Sequence, residues 1–277
     1  MAENAKSKIS DRELVRQAYE MPGEMGPQYS YFYPYSLGNQ AYLWMQGARE
    51  IIGKYRDWLN VGRHVLSGGK AYEIFRPNLI KVTSDEGLEE EVLAGWLRSR
   101  CIFTLSQTEG EALPPIQMPR WDLANALGKL GVREVPFTST DGNLQGYAVG
   151  LEFAVSPIAH NRLKTVFHEL GHMVLGHTML TLEEGETYHR GLREAEAEIT
   201  ALVCMRHVGL LDDETASHGR AYVQYWLDGS EFPDSSARRV LKAAGAILRA
   251  GQQVASSHVA LARAPDRESP SHLSQTM

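Results

Sequence analysis

The sequence predicts an α+β fold made of two domains, and three observations support this prediction. The chain has 277 residues, enough for two domains. Short strand-like segments dominate before residue 120, whereas long helical segments with apolar periodicity dominate after residue 158. A stretch rich in proline, 109–119, separates the two regions. We therefore expect a small N-terminal α/β domain, followed by a mainly helical domain with a small sheet.

The predicted organisation has four parts. An N-terminal arm covers 1–28, the first domain 29–112, the second domain 113–262 and a disordered tail 263–277. The composition, with 43% hydrophobic and 22% charged residues, is that of an ordinary globular protein. The polar N-terminus and the lack of a long apolar run predict neither a secretory leader nor a membrane span. The two cysteines, Cys101 and Cys204, are expected to be reduced in a cytoplasmic protein.

The elements of the arm and the first domain follow from local patterns. Tyr42, Met45 and Ala48 recur at helical spacing, and Gly68-Gly69 indicates a hairpin turn. Pro77 separates two strand-like runs. The helices expected here are 11–20, 40–52, 54–61 and 85–98, and the strands are 71–75, 79–82 and 100–105.

The helix predicted at 85–98 depends on its charges. Ser84 is a suitable N-cap, and acidic residues crowd the first turns, at Asp85, Glu86 and 89–91. Arg98 stands near the end. Acids at the start and a base at the end complement the helix dipole, so a helix explains the acidic run.

The second domain shows stronger helical signals. Gly131 ends the first helix, and the turn Asp141-Gly142-Asn143 separates two strands. Gly209 ends a long buried helix. The helices expected here are 121–130, 159–177, 192–208, 212–227 and 235–254, and the strands are 133–137 and 146–155.

The run from Leu163 to His177 contains a motif typical of zinc enzymes. His168 and His172 lie four residues apart, so both imidazoles share one face of the predicted helix and reach one metal ion. Glu169 stands beside them as a general base that takes a proton from water at the metal. Two buried core histidines are the alternative explanation.

A third ligand is needed, and the following helix offers three glutamates. Glu194 and Glu198 are four apart and share a face; we assign Glu194 as the ligand and Glu198 as acceptor of a histidine N–H, although the order could be reversed. Glu196 is expected to point away, solvated or in an ion pair. His177 is expected to point away from the pair as a packing residue.

Zinc is the expected ion, with another divalent metal as the alternative. The candidate oxyanion donors are Tyr188, His189, His218 and Tyr222.

An aromatic and basic segment lies in the first domain, although the net charge of the chain is −6. Eleven of the 24 aromatic residues fall within 29–75, and 49–81 carries seven Lys or Arg against three acids, a local charge of +4. Basic grooves that follow phosphates, with aromatic rings that stack on bases, are typical of single-strand binders. The candidate DNA-binding residues are Lys54, Tyr55, Arg56, Trp58, Arg63, Lys70 and Arg76.

Two segments together resemble one protein family. Ser36–Lys81 is similar to the single-stranded-DNA-binding domain of ArdC-type antirestriction proteins, with Asn39, Tyr55 and Trp58 among the matching residues. Leu163–His177 together with Leu192–Leu210 is similar to the metallopeptidase-like domain of that family and, more distantly, to the ImmA/IrrE peptidases. The resemblance implies a divalent metal, single-stranded DNA as partner and protection of entering mobile DNA from host nucleases.

Three functional hypotheses remain open from the sequence. In the first, the chain masks DNA and its metal domain is structural or regulatory. In the second, it is an active cytoplasmic protease that cleaves a repressor or a host defence protein. In the third, it is a non-catalytic DNA-binding module with a structural metal. The acidic residues 85–91 are unusual for a DNA-binding protein.

Overall fold

The fold of the protein is α+β, as predicted from the sequence. The computed structural model describes residues 9–83, 89–116, 120–179 and 190–253. The expected tail, residues 1–8 of the arm and most of the acidic loop before residue 190 lie outside the described residues. None of the described helices has the length and hydropathy needed to cross a membrane.

Helices and strands alternate in the first half, and helices dominate the second. The described α-helices are α1 (Asp11–Glu20), α2 (Met25–Tyr29), α3 (Leu37–Met45), α4 (Tyr55–Asn60), α5 (Leu123–Leu130), α6 (Arg162–Val174), α7 (Arg190–His207), α8 (Asp213–Leu227) and α9 (Asp234–Gly251). The described strands are β1 (Ile52–Lys54), β2 (Arg63–Val65), β3 (Tyr72–Thr83), β4 (Glu89–Thr104), β5 (Thr108–Gly110), β6 (Arg133–Glu134), β7 (Gly146–Val149) and β8 (Glu152–Val155).

A three-stranded antiparallel sheet in the order β1-β4-β3 forms the centre of the first half. β2 and β5 form a separate antiparallel pair. Tyr31, Phe32 and Trp58 form a small aromatic core beside the sheet, with Phe32 and Trp58 in edge-to-face contact. Gly53 is required there, because a Cβ atom would stand 2.7 Å from the ring of Phe32.

The helix predicted at 85–98 is wrong: β4 occupies Glu89–Thr104 and pairs with β3 along its length. Val92, Leu93 and Trp96 favour a strand, and the cross-strand hydrogen bonds with β3 outweigh the helix-compatible charge order. The acidic residues are solvated on this strand, and Lys81 Nζ lies 3.1 Å from Glu89 Oε2.

Two side-chain amides cover the outer edge of β3. Asn39 accepts from the backbone N–H of Phe75 and donates to its carbonyl, both at 2.8 Å. Gln46 makes the same pair of bonds with Glu73, also at 2.8 Å. Helix α3 therefore satisfies backbone groups that an edge strand would leave open.

The second half is a helical layer against a small sheet in the order β6-β8-β7. The single strand predicted at 146–155 is a hairpin, β7 and β8, in which Gly150 adopts a φ of +57°. β6 pairs with β8 in parallel. β7 is thus an edge of this sheet and lies against α6.

One large hydrophobic core joins both halves of the chain. Leu14, Val15 and Ala18 of α1 belong to it, together with Val240 and Ile247 of α9. The predicted arm therefore supplies a helix to this core. The exact domain boundaries predicted from the sequence stay predictions.

Candidate functional site

Helix α6 places the two histidines. The Asn161 side chain accepts from the backbone N–H of Lys164 and begins the helix. α6 packs against α7 at Gly171, where a Cβ atom would stand 3.2 Å from the Cα and O atoms of Ala197. This close approach of two backbones brings His168 and His172 to the glutamates of α7.

The ligand atoms of His168, His172 and Glu194 lie within 4.8 Å of one another. The two Nε2 atoms are 3.1 Å apart, and Glu194 Oε2 is 3.4 Å from His168 Nε2 and 3.6 Å from His172 Nε2. Ligands about 2.1 Å from a tetrahedral zinc ion would stand about 3.4 Å apart. The three residues therefore fit a single divalent ion, and two imidazoles with one carboxylate suit zinc.

The close contact of these three side chains, together with their burial, shifts the pKa values of all three. Burial alone would raise the pKa of Glu194, but hydrogen bonds to His168 and His172 hold the pKa of this carboxyl well below its usual range. Burial lowers the pKa of His172. Metal coordination requires an ionised carboxylate and neutral imidazoles. Glu194 and His172 meet this condition, whereas burial of His168 is outweighed by its hydrogen bonds to Glu194 and Glu198, which raise its pKa to about 9, so His168 loses a proton when an ion binds.

Glu169 is buried at the base of the same cleft. Burial raises its pKa to about 7, against the opposing effect of His168. Its Oε1 atom would lie 2.9 Å from a Cβ atom at Gly146, so the glycine at the start of β7 makes room for this carboxyl. A carboxyl that titrates near neutral pH has the basicity expected of a general base.

Glu198 orients His168. His168 Nδ1 lies 3.0 Å from Glu198 Oε2, and Lys164 Nζ lies 2.7 Å from Glu198 Oε1. With Nε2 directed to the ion, Nδ1 carries the proton and donates to the carboxylate. The structure thus brings Glu194 within reach of both histidines and has Glu198 behind His168, and the roles assigned to the two glutamates stay predictions.

His177 and Glu196 require corrections. The expectation that His177 points away is wrong, because its Nδ1 lies 3.0 Å from His172 Nδ1. Helix α6 ends at Val174, and the turn at Gly176, with a φ of +80°, returns His177 beneath His172. Glu196 is fully buried instead of solvated, with Oε2 2.9 Å from His177 Nε2 and Oε1 3.3 Å from Arg239 Nε, which agrees with the ion-pair alternative.

The cleft above these residues has a volume of about 620 Å³ and is open to solvent. His218 and Tyr222 line it, as do the residues of the β7 edge, Gly146–Ala148. The other two candidate oxyanion donors, Tyr188 and His189, lie outside the described residues.

The candidate DNA-binding residues divide into two groups. Lys54, Tyr55, Arg56, Lys70 and Arg76 are exposed. Arg63 donates to Thr108 Oγ1 at 2.9 Å and to the carbonyls of Gly110 and Glu111, so it braces the β2–β5 pair.

Trp58 is wrong as a base-stacking residue. It is fully buried, and its indole N–H is directed at the carbonyls of Gly53 and Phe103, each 3.2 Å away. The sequence analysis missed Tyr33, which is 51% exposed. Lys54 Nζ lies 5.2 Å from the Tyr33 ring, and Tyr55, the next residue, is 53% exposed.

Comparison with solved structures finds similarity to the antirestriction ArdC protein from R388 plasmid. Its metal-free crystal structure is 20% identical, with 87% of this chain and 93% of that chain covered and a TM-score of 0.46. Its Mn(II)-bound structure is 18% identical, with 87% and 97% covered and the same TM-score. No protein-family model and no curated protein matches the chain. Both neighbours are of the family that the sequence resembles; the similarity to ImmA/IrrE peptidases stays a prediction.

Proposed function

We propose that this chain hydrolyses peptide bonds with a divalent metal, zinc by preference, held by His168, His172 and Glu194. One observation carries the proposal: three ligand atoms converge at 3.1 to 3.6 Å in an open cleft that also contains the Glu169 carboxyl. Where a divalent ion binds, it supplies Lewis acidity that polarises a carbonyl and lowers the pKa of water.

Residues of the chain carry out proton transfer, stabilisation of the oxyanion and binding of the peptide. Glu169 accepts the proton of the attacking water and returns it to the leaving amine. Tyr222 and His218 are the donors available to the oxyanion that forms on the substrate carbonyl. The open edge of β7 binds an extended peptide through backbone hydrogen bonds, parallel to the cleft.

The test is Glu169→Gln. The amide keeps the size of the side chain but accepts no proton, so metal content measured by elemental analysis stays at the wild-type level. Cleavage of a randomised peptide library, measured by mass spectrometry, falls at least about a hundredfold. Undiminished cleavage by this variant would exclude the proposed role of Glu169.

A second function, binding of single-stranded DNA, is favoured by the exposed pair Tyr33 and Tyr55 with Lys54 between them. Aromatic rings stack on bases, and the ammonium contacts phosphate. Tyr33 lies on the connection between α2 and α3, and Tyr55 is the first residue of α4, within the segment that resembles the DNA-binding domain. The DNA-binding surface is therefore centred on Tyr33 and Tyr55, with Lys70 and Arg76 as further phosphate contacts.

Matched variants test this surface. Tyr55→Ala and Tyr33→Ala should each weaken binding of a labelled oligonucleotide at least about fivefold, without a change in the free energy of unfolding. Trp58→Ala should instead unfold the small aromatic core, at a cost of about 3 kcal/mol. Binding that does not change with salt concentration would contradict phosphate contacts.

The resemblance to ArdC-type proteins extends the proposal to antirestriction on mobile DNA in the cytoplasm. Glu169→Gln separates the two mechanisms in a transformation assay with unmodified DNA. Protection that survives the substitution indicates masking of the DNA. Protection that is lost, with DNA binding intact, indicates proteolysis of a host defence protein or a repressor.

A further inference from the structure

Strands β3 and β4 extend beyond the core as a two-stranded arm, which we define as residues 76–83 and 89–100. Its large apolar side chains are exposed on both faces of the ribbon, and Trp96 is 64% exposed. Exposed apolar patches of this kind mark interaction sites. The exposed apolar residues of the arm are Leu79, Ile80, Val82, Val92, Leu93, Trp96 and Leu97.

The longer free edge of the arm, within the described part of the chain, belongs to β4. β1 pairs with β4 only at Ile102–Thr104, and no strand of the described part of the chain pairs with that edge from Glu89 to Cys101. A row of unpaired backbone donors and acceptors is a template for another strand.

A β-bulge determines which side chains of β4 lie on the same face of the strand. Asn78 pairs with Gly95 but Leu79 pairs with Leu93, so Ala94 is an extra residue. The odd-numbered side chains before the bulge and the even-numbered side chains after it therefore lie on the same face of the strand. In a regular strand they would lie on opposite faces. The residues on this face are Glu89, Glu91, Leu93, Trp96, Arg98 and Arg100.

The order of these six side chains is self-complementary: acid, acid, apolar, apolar, base, base. A second β4 strand, antiparallel and related by a two-fold axis at Gly95, places Glu89 opposite Arg100, Glu91 opposite Arg98 and Leu93 opposite Trp96. The same operation places Val92 opposite Leu97 on the other face. We propose that β4 is the interface of a symmetric homodimer, in which two arms form a four-stranded antiparallel sheet.

Contacts within one chain support this pairing. Lys81 lies 3.1 Å from Glu89, and Arg100 Nε lies 2.7 Å from Glu73 Oε1. In the four-stranded sheet the charges therefore alternate from strand to strand. Lys81 and Glu89 of one copy are followed by Arg100 and Glu73 of the second copy. Gly95, without a Cβ atom, allows the two backbones to approach at the axis.

Charge reversal tests the interface. Wild-type protein should sediment as a dimer in the micromolar range, and a protein that stays monomeric at submillimolar concentration overturns the proposal. The double variant Arg98→Glu with Arg100→Glu, and the double variant Glu89→Arg with Glu91→Arg, each place like charges opposite one another. Each should raise the dimer dissociation constant at least about tenfold, measured by analytical ultracentrifugation.

Rescue distinguishes pairing from misfolding. An equimolar mixture of the two double variants should form a heterodimer, because each acidic strand then faces a basic one. The chain with all four substitutions should form a homodimer again. Failure of both rescues, in variants with wild-type circular dichroism, overturns the proposal. Lys242→Glu, an exposed reversal on α9, is the control and should leave the dissociation constant unchanged.

Discussion

Three glutamates at alternate positions of α7 have three different sets of contacts. Two residues of an α-helix span about 200°, so Glu194 and Glu198 share a face and Glu196 is directed nearly opposite. Glu194 reaches both histidines, Glu198 orients His168, and Glu196 accepts from His177. Each carboxylate has a separate chemical role, so isosteric amides should give distinct effects.

We expect Glu194→Gln to lower zinc affinity at least about a hundredfold, since it removes the anionic ligand. Glu198→Gln should lower it about tenfold, since it removes only the acceptor behind His168. Competition with a chromophoric chelator measures both values, and Glu214→Gln on exposed α8 is the control. A larger loss for Glu198→Gln would reverse the two assignments.

Sequence periodicity predicted His168, His172, Glu194 and Glu198, because residues four apart on a helix must share a face. It could not predict that His177 contacts His172, since that contact depends on the turn at Gly176 after the helix ends. The burial of Trp58 could not be predicted from the sequence either, because a tryptophan in a core and a tryptophan that stacks on a base occur in the same local sequence pattern.

At the scale of elements, the contact of α6 with α7 determines the geometry of the candidate metal site. Gly171→Leu would force the new side chain against Ala197, whose Cα and O atoms lie only 3.2 Å from the place of an added Cβ atom. We expect a loss of about 3 kcal/mol in the free energy of unfolding, and of zinc affinity as well, because the helices must separate. Denaturant titration and metal binding measure the two effects.

Gly128→Ala on α5 is the matched control, because a Cβ atom there meets no atom within 4 Å. It should raise the free energy of unfolding by about 0.5 to 1 kcal/mol, since alanine is the better helix former. A Gly171→Leu variant with wild-type stability would show that the close approach of the two helices is not required.

The elements themselves were predicted unevenly. The termini of α1 follow directly from its Ser10 cap and apolar spacing, and its predicted range is confirmed. β4 was mistaken for a helix because its acids precede its arginines, which suits a helix dipole. The decisive interaction is pairing with β3, residues 72–83, and long-range pairing leaves little trace in a local charge pattern.

At the scale of the whole molecule, α1 connects the N-terminus to the helical half. Asp11 Oδ2 lies 2.6 Å from Arg238 Nη2 on α9, and His207 Nε2 at the end of α7 donates to the Ala18 carbonyl at 3.0 Å. The candidate metal site and the first half of the chain therefore share one hydrophobic core, and loss of the α1 contacts should disturb the helices that carry the site.

His207 makes this framework sensitive to acid. Burial lowers the pKa of His207 to about 4, below its ordinary value of 6.5. Between these values the unfolded chain binds a proton that the folded chain does not, so stability falls as the pH drops from about 6.5 towards about 4. The loss should be at most about 3 kcal/mol.

Urea titrations across this pH range measure the effect, with His207→Gln as the comparison. Glutamine keeps an N–H donor for Ala18 but does not titrate, so its stability should depend less on pH. Equal pH dependence in both proteins would assign the acid sensitivity to other groups.

The amides that cover β3 also limit how far the sheet can grow. Asn39 and Gln46 occupy the outward backbone groups of Phe75 and Glu73, and Pro77, two residues on, has no N–H to offer. The β3 edge is therefore blocked from Glu73 to Pro77, whereas the β4 edge from Glu89 to Cys101 pairs with no strand of the described residues. In the proposed dimer both β4 edges are paired with each other, and within the described arm the outward backbone groups that stay open belong to the short β3 segment beyond Pro77, which limits further growth of the sheet.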